Sequence, residues 1–213
     1  TAVSLAPRDA AYRIELAALL EQDGDFAGAE RTYQFAVRVA RNDLGAELAY
    51  GDFLARRRRF SEAVAVYERA AELKPDVEGA LEGLGRCYWA LDDRNQALSV
   101  MERLVELQPN NPAAKYDLAL MLQRTGHPQE AIPLLDDVIR ILPTMWEAVA
   151  CKAGVLADLG RYWEARALYE RAAELGAAGS SFEHARESLD RLLLGAPQSD
   201  PHCEEKPQGD QPD

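Results

Sequence analysis

The sequence predicts an all-α fold: a solenoid of antiparallel helix pairs, closed at its C-terminal end by a single capping helix. Three observations predict it. The chain repeats itself every 34 residues. Each repeat holds two stretches whose apolar residues recur every three or four places, the signature of one helix face. Gly or Pro punctuates many of the joints between stretches. The 213 residues are 47% hydrophobic, enough for a sizeable core, and Gly and Pro are too few for disorder by composition.

The register is strict. Gly24, Arg58, Asp92, Gly126 and Gly160 stand 34 residues apart. Five places after each comes Ala29, Ala63, Ala97, Ala131 or Ala165, and four further Tyr33, Tyr67, Met101, Leu135 or Tyr169. Ala36, Ala70, Leu104, Val138 and Ala172 follow three places on. Seven places before each joint lies a tiny residue: Ala17, Gly51, Gly85, Ala119 or Ala153. Leu20, Leu54, Tyr88, Leu122 and Leu156 come three places later. The tiny residue and the repeated Ala let two helices approach closely, and the bulky residues interdigitate around that contact. Gly24, Gly126 and Gly160 end first helices in the left-handed conformation. Pro75, Pro109 and Pro143 stop second helices. Asn111-Pro112 reads as an N-cap and a first-turn proline, and Pro133 as a residue near the tolerated first turn.

These residues resemble the tetratricopeptide repeat family, whose 34-residue helix–turn–helix units stack into a right-handed superhelix. The resemblance covers residues 10–179 as five units: 10–43, 44–77, 78–111, 112–145 and 146–179. The family's early aromatic is replaced by Arg13, Glu47, Leu81, Lys115 and Val149. Its usual Leu becomes Lys152 in the last unit, and its terminal Pro is Arg41 in the first and Ala177 in the last.

The ends extend the pattern. Ala2, Leu5 and Pro7 stand one period before Ala36, Val39 and Arg41. Residues 1–9 therefore read as the second-helix remnant of a preceding repeat, and the chain as part of a longer array. Ser180-x-x-Glu183 reads as a capping box opening a capping helix over 180–195. Its apolar stripe is Phe182, Ala185, Leu189, Leu192 and Leu193, as a solenoid end requires. Residues 196–213 read as a disordered acidic tail. Asp200, Glu204, Glu205, Asp210 and Asp213 of that tail could fold back onto groove arginines.

The charge is −12, which argues against nucleic acid and anionic membranes. No stretch approaches the ~20 apolar residues of a membrane span. No basic-then-apolar leader opens the chain, although Thr1 in place of Met leaves room for a processed one. Four Lys against 20 Arg read as a GC-rich, bacterial coding sequence. Cys87, Cys151 and Cys203 form no disulfide framework, which leans toward a reducing, cytoplasmic compartment; a preceding signal or anchor would make it periplasmic. His127, His184 and His202 are too scattered for a metal site. No phosphate loop, nucleophile elbow or other catalytic constellation is legible, so neither enzyme nor cofactor is expected.

The resemblance places the remaining function on an inner groove lined by first helices, where a protein or peptide partner would bind. The groove residues are Asp52, Arg56, Glu82, Arg86, Trp89, Tyr116, Asp117, Leu120, Gln123 and Arg124, with Leu48, Glu147, Cys151 and Asp158 beside them and Gly79 and Gly83 leaving space. A Trp and a Tyr flanked by Arg have the composition of a recognition hot spot. Trp89 could instead wedge between units, and Arg56, Arg86 and Arg124 could pair with Asp52, Glu82 and Asp117 in a solvated groove. One family subset grips chaperone C-termini with Lys and Asn. At those places this chain has Ile14, Ala18, Ala49, Gly79 and Gly83 or, one unit on, Leu48, Asp52, Gly83, Ala113 and Asp117, so that clamp is not expected. The run Arg56–Arg59 reads as a solvated turn or as a contact for an acidic partner. The function expected is a protein-interaction scaffold. The alternatives are an accessory arm of a larger enzyme or envelope or secretion machine, and an array that self-associates through the N-terminal half-repeat.

Overall fold

The computed structural model describes residues 10–195. Eleven helices run through them: α1 (Ala10–Gln22), α2 (Phe26–Val39), α3 (Leu44–Arg56), α4 (Phe60–Leu73), α5 (Glu78–Ala90), α6 (Arg94–Leu107), α7 (Pro112–Arg124), α8 (Pro128–Ile141), α9 (Trp146–Asp158), α10 (Tyr162–Glu174) and α11 (Ser180–Gly195). They form two compact units, divided within α7 between Met121 and Leu122. In the first unit α1 pairs with α2, α3 with α4 and α5 with α6. In the second α9 pairs with α10, while α8 and α11 pack against that pair. The preceding half-repeat of residues 1–9, the acidic tail of 196–213, His202 and Cys203 all lie outside the described residues.

The joints follow from their residues. Gly24, Gly126 and Gly160 have φ of +82°, +86° and +76°, which glycine adopts without strain. Arg58 and Asp92 hold the same place at +59° and +66°, where a side chain costs about 1–2 kcal/mol. Asp25, Asp43 and Asp93 cap the helices that follow them, accepting from the backbone N–H of Gly28, Ala46 and Gln96 at 2.8, 3.0 and 3.2 Å. Asn111 Oδ1 accepts from Ala113 and Ala114 ahead of the first-turn Pro112. Pro75, Pro109 and Pro143 each stand two residues past a helix end. Two boundaries differ from the sequence reading. Pro133 is the sixth residue of α8, beyond the first turn, and the helix continues through it; the carbonyl it leaves without a helical donor belongs to Gln129, an exposed residue that water reaches. Gly179, not Ser180, holds the cap position of α11, because its carbonyl accepts the first helical bond from Glu183 N–H.

The core sits at the helix crossings. Ala29, Ala63, Ala97, Ala131 and Ala165 are wholly buried, as are Ala17, Ala119 and Ala153. Where the tiny residue is glycine, the space goes to a neighbour. A Cβ on Gly51 would lie 2.6 Å from the Tyr67 ring, and one on Gly85 2.7 Å from Met101 Sδ. Aromatic rings join successive pairs: Tyr33 of α2 lies 5.2 Å from Phe53 of α3, and Tyr169 of α10 lies 5.7 Å from Phe182 of α11. On α11 Phe182, Leu189 and Leu193 are buried, but Leu192 is 51% exposed and leaves the expected stripe.

Two charged departures at the fourth place of the repeats, Arg13 and Glu47, are met from the second helix of their own repeat. Arg13, Glu47, Leu81, Lys115 and Val149 are all buried. The Arg13 guanidinium lies 4.1 Å over the Phe35 ring. One repeat on, Glu47 accepts from Arg69 at 2.8 and 3.4 Å. Phe35 and Arg69 are 34 residues apart, so both partners occupy the same place of the repeat.

The basic run is an exposed turn, but three of its four arginines are engaged within the chain. Arg56 pairs bidentately with Glu21 at 2.9 and 2.8 Å. Arg57 lies 3.8 Å over the Phe26 ring. Arg59 reaches Glu30 and Glu62, each at 2.7 Å. Arg58 occupies the left-handed turn. Three of the four thus fasten α3 and α4 to the preceding helix pair.

Arg58→Gly raises stability by about 0.5–1 kcal/mol, the relief of a left-handed side chain less the entropy of glycine. Gly126→Ala lowers it by about 1 kcal/mol; nothing lies within 4 Å of the added methyl, so φ alone sets the sign. Urea midpoints of the two variants should move in opposite directions. Arg69→Met strands the Glu47 carboxylate and costs about 1–3 kcal/mol. Adding Glu47→Leu recovers most of that, because Leu81 occupies the same place in the next repeat; a double variant no more stable than Arg69→Met would refute the compensation.

Candidate binding face of the first helices

In the first unit α3 packs beside α1, and α5 beside α3. Residues of these first helices that are not committed to helix pairing form a polar row. Asp52 is half-buried and accepts from the Tyr67 hydroxyl at 2.5 Å. The Tyr67 ring reaches it by passing over Gly83, where a Cβ would sit 2.3 Å from the ring. Gly83 therefore leaves no space for a ligand, contrary to the sequence expectation, and a Cβ on Gly79 would already touch Leu48 at 3.4 Å. Burial first, then the bond to Asp52, push the Tyr67 pKa far above that of an ordinary phenol, so the hydroxyl stays a donor. Burial and then the Glu21 charge also raise the Tyr33 hydroxyl, which lies against Arg56.

Arg56 pairs with Glu21 rather than with Asp52. Arg86 is exposed and makes no ion pair or hydrogen bond among the described residues, so the expected pairing with Glu82 is not formed; Glu82 itself is half-buried. Asp117 is exposed at its edge, yet crowding around its carboxyl raises its pKa, with the Arg86 charge opposing the rise from beyond ion-pair distance. Trp89 is half-buried, and the Arg94 guanidinium lies 3.9 Å above its ring. One indole face is therefore covered by the chain's own cation. Tyr116 and Leu120 are half-buried on α7.

Gln123 and Arg124 fall in the second unit, apart from the other eight. There the Gln123 amide donates to Asp158 at 2.7 Å and accepts from the Cys151 thiol at 3.8 Å. Burial raises the Tyr169 hydroxyl, with Asp158 and Cys151 next in effect. Arg124 is exposed, with no ion pair or hydrogen bond among the described residues. Burial pushes both the Cys151 and Cys87 thiols up to about 11, so both stay protonated at neutral pH. One pairing occurs once in each unit: the twelfth residue of a repeat bonds the thirteenth of the next, as Glu21–Arg56 and as Gln123–Asp158, each 35 residues apart.

Sequence reasoning missed the hydroxyls. Tyr33, Tyr67 and Tyr169 were legible only as bulky core residues. The available signal was chemical: Met101 and Leu135 fill the same place without a polar atom, whereas a buried phenol must find a partner. Among the described residues no three His, Cys, Asp or Glu are grouped to hold a metal ion, and no helix is long and apolar enough to cross a membrane.

Comparison with known proteins places this arrangement. Tetratricopeptide repeat models match residues 14–78 and 54–123, and a model of anaphase-promoting complex, cyclosome, subunit 3 matches residues 95–172. Among solved structures, YrrB, a TPR protein with an unusual peptide-binding site, is 21% identical over 87% of this chain and 96% of its own, with a TM-score of 0.73. MamA is 22% identical over 75% of this chain and 93% of its own, with a TM-score of 0.70. A tetratricopeptide repeat protein from Parabacteroides merdae ATCC 43184 is 18% identical over 87% of this chain and 73% of its own, with a TM-score of 0.78. No curated protein sequence matches. At such identities the structures establish the fold; together with repeat models matched in overlapping succession along an unbroken 34-residue register, they make the chain a member of the tetratricopeptide repeat family.

Proposed function

We propose that this chain is a protein-interaction module that takes a segment of a partner protein on the face of its first helices. In this reading residues 10–179 are five repeat units, and the helix over 180–195 is the terminal cap. The observation that carries the proposal is the contrast within the face. In the first unit Asp52 and Arg56 of α3 are spent on bonds inside the chain, whereas Glu82 and Arg86 of the neighbouring α5 make none; in the second unit Gln123 and Asp158 bond each other, whereas Arg124 makes no such bond. A row of bonded groups fixes the floor and leaves adjacent charges for a ligand, so little ordering entropy remains to be lost on binding. The peptide-binding site of YrrB, which has the same fold, fits this reading. The groups that would meet a partner are Arg86, Trp89, Tyr116, Asp117 and Leu120 in the first unit and Arg124 in the second.

The test compares proteins retained from source-cell lysate by the wild-type chain and by a folded variant carrying Arg86→Ala, Trp89→Ala, Tyr116→Ala and Arg124→Ala. A specific partner should bind the variant at least about tenfold more weakly, since truncating hot-spot aromatics and arginines commonly costs more than 1 kcal/mol each. Equal retention of the same proteins by both would place binding elsewhere on the molecule and remove this face from consideration.

A further inference from the structure

Two arginines of the first-helix row in the first unit are treated differently. Arg56 of α3 takes Glu21 of α1 in two bonds, at 2.9 and 2.8 Å. Arg86 of α5 has Asp52 of α3 at its own place of the preceding repeat, 34 residues earlier, and makes no ion pair or hydrogen bond among the described residues. The difference is where a hydroxyl goes. Tyr33 and Tyr67 also stand 34 residues apart. The Tyr33 hydroxyl lies against Arg56, which leaves Glu21 to the guanidinium. The Tyr67 hydroxyl goes to the acid and donates to Asp52 Oδ1 at 2.5 Å, the short distance of a charge-assisted bond. The path of the Tyr67 ring is built for this. The residue is wholly buried, and its ring runs between Gly51 of α3 and Gly83 of α5, where a Cβ would lie 2.6 and 2.3 Å from it, respectively. The ring atom nearest Gly83 is the carbon that bears the hydroxyl. The bond to Asp52 is therefore made against α5, three residues before Arg86, about 4.5 Å of helix rise.

We infer that Tyr67 is a positioning residue of the first-helix face: by holding Asp52 it keeps Arg86 unpaired, ready for a hydrogen-bond acceptor of the partner, a role that rests on the function proposed for that face. Asp52 released from the hydroxyl is within reach of the long Arg86 side chain, and the two form across α3 and α5 the kind of pair that Glu21 and Arg56 form across α1 and α3. Arg86 is then spent on the fold. The hydroxyl prevents this without bringing a charge of its own, and burial keeps it a donor. Gly51 and Gly83 belong to the same device, because a side chain at either would block the ring from reaching Asp52.

The probe is phenylglyoxal, which condenses with guanidinium groups and is slowed where they are ion-paired. The whole chain is treated with it, and the rate at each arginine is read by mass spectrometry. Arg124, exposed and unbonded in the second unit, is the internal reference. In the wild type Arg86 should react about as fast as Arg124. Tyr67→Phe keeps the ring and removes only the hydroxyl; Arg86 should then slow about two- to fivefold, the reach of one exposed ion pair. Adding Asp52→Asn removes the acid and should restore the rate, and Asp52→Asn alone should leave it at the wild-type value. An Arg86 that reacts unchanged or faster in Tyr67→Phe overturns the inference. So does a slowing that Asp52→Asn fails to reverse, since loosened packing alone would give either result. A partner held by the first-helix face should follow the same order, weakest with Tyr67→Phe and recovered in the double variant. Reactivity that follows this order while no retained protein responds leaves the hold on Asp52 standing and fails the proposed function instead, so the two failures are told apart.

Discussion

Each repeat depends on one steric constraint: where its two helices cross there is room for a hydrogen or a methyl group and nothing larger. The alanines of the second helices are wholly buried at that point, and the first helices answer with Ala or Gly. Gly51 and Gly85 show how tight the crossing is, because the missing Cβ would overlap the Tyr67 ring or the Met101 sulfur. Overpacking such a contact costs about 1–3 kcal/mol. Close approach also lets a long residue of the second helix pass through to the other side. Tyr67 does so, and its hydroxyl emerges beside Asp52. The constraint that holds a pair together thus also delivers polar groups to the face of the first helices.

What was legible in the sequence divides along the same line. Periodicity reports where apolar atoms must be buried, and Ala29, Tyr67, Leu104 and their equivalents are buried where the register put them. Punctuation was legible because Gly24, Gly126 and Gly160 are solutions to a backbone problem that any fold would pose at those points. Pairing was not. Arg56 could be given Asp52 from its own helix, but Glu21 of the helix before it is the partner. Which carboxylate an arginine meets depends on how successive repeats are offset, and a period of 34 fixes spacing along the chain without fixing that offset. Gly83 failed for a related reason. A glycine in a face reads as vacant space, but the space belongs to a ring contributed by another helix.

The substitutions at the fourth place show how a repeat tolerates losing a family residue. A buried charge without a partner costs several kcal/mol, so Arg13 and Glu47 would be untenable alone. Each is met from the same place of its own second helix, by a ring in one case and by a guanidinium in the other. Sequence comparison with the family pattern sees two departures; the structure sees two matched pairs. The same logic governs the basic run. Exposed ion pairs are individually weak, but Arg56, Arg57 and Arg59 act on one helix pair from one turn, and together with α2–α3 packing they fix the relation between adjacent repeats.

These pairs bear on recognition, because charge already spent on the fold is not available to a partner. The chain carries −12, yet net charge says little about the face of the first helices, where Asp52, Arg56 and Asp158 are answered locally. What distinguishes Arg86 is that it lies among carboxylates without contacting one: it opposes the raised pKa of Asp117 only through space, and Tyr67 already holds Asp52. A guanidinium in that position is near acceptors without having a bidentate bond to any of them. A ligand acceptor placed there gains the bond without first having to break an internal pair, which is why an unspent group on a bonded floor is a stronger sign of a binding face than the same residues counted from the sequence.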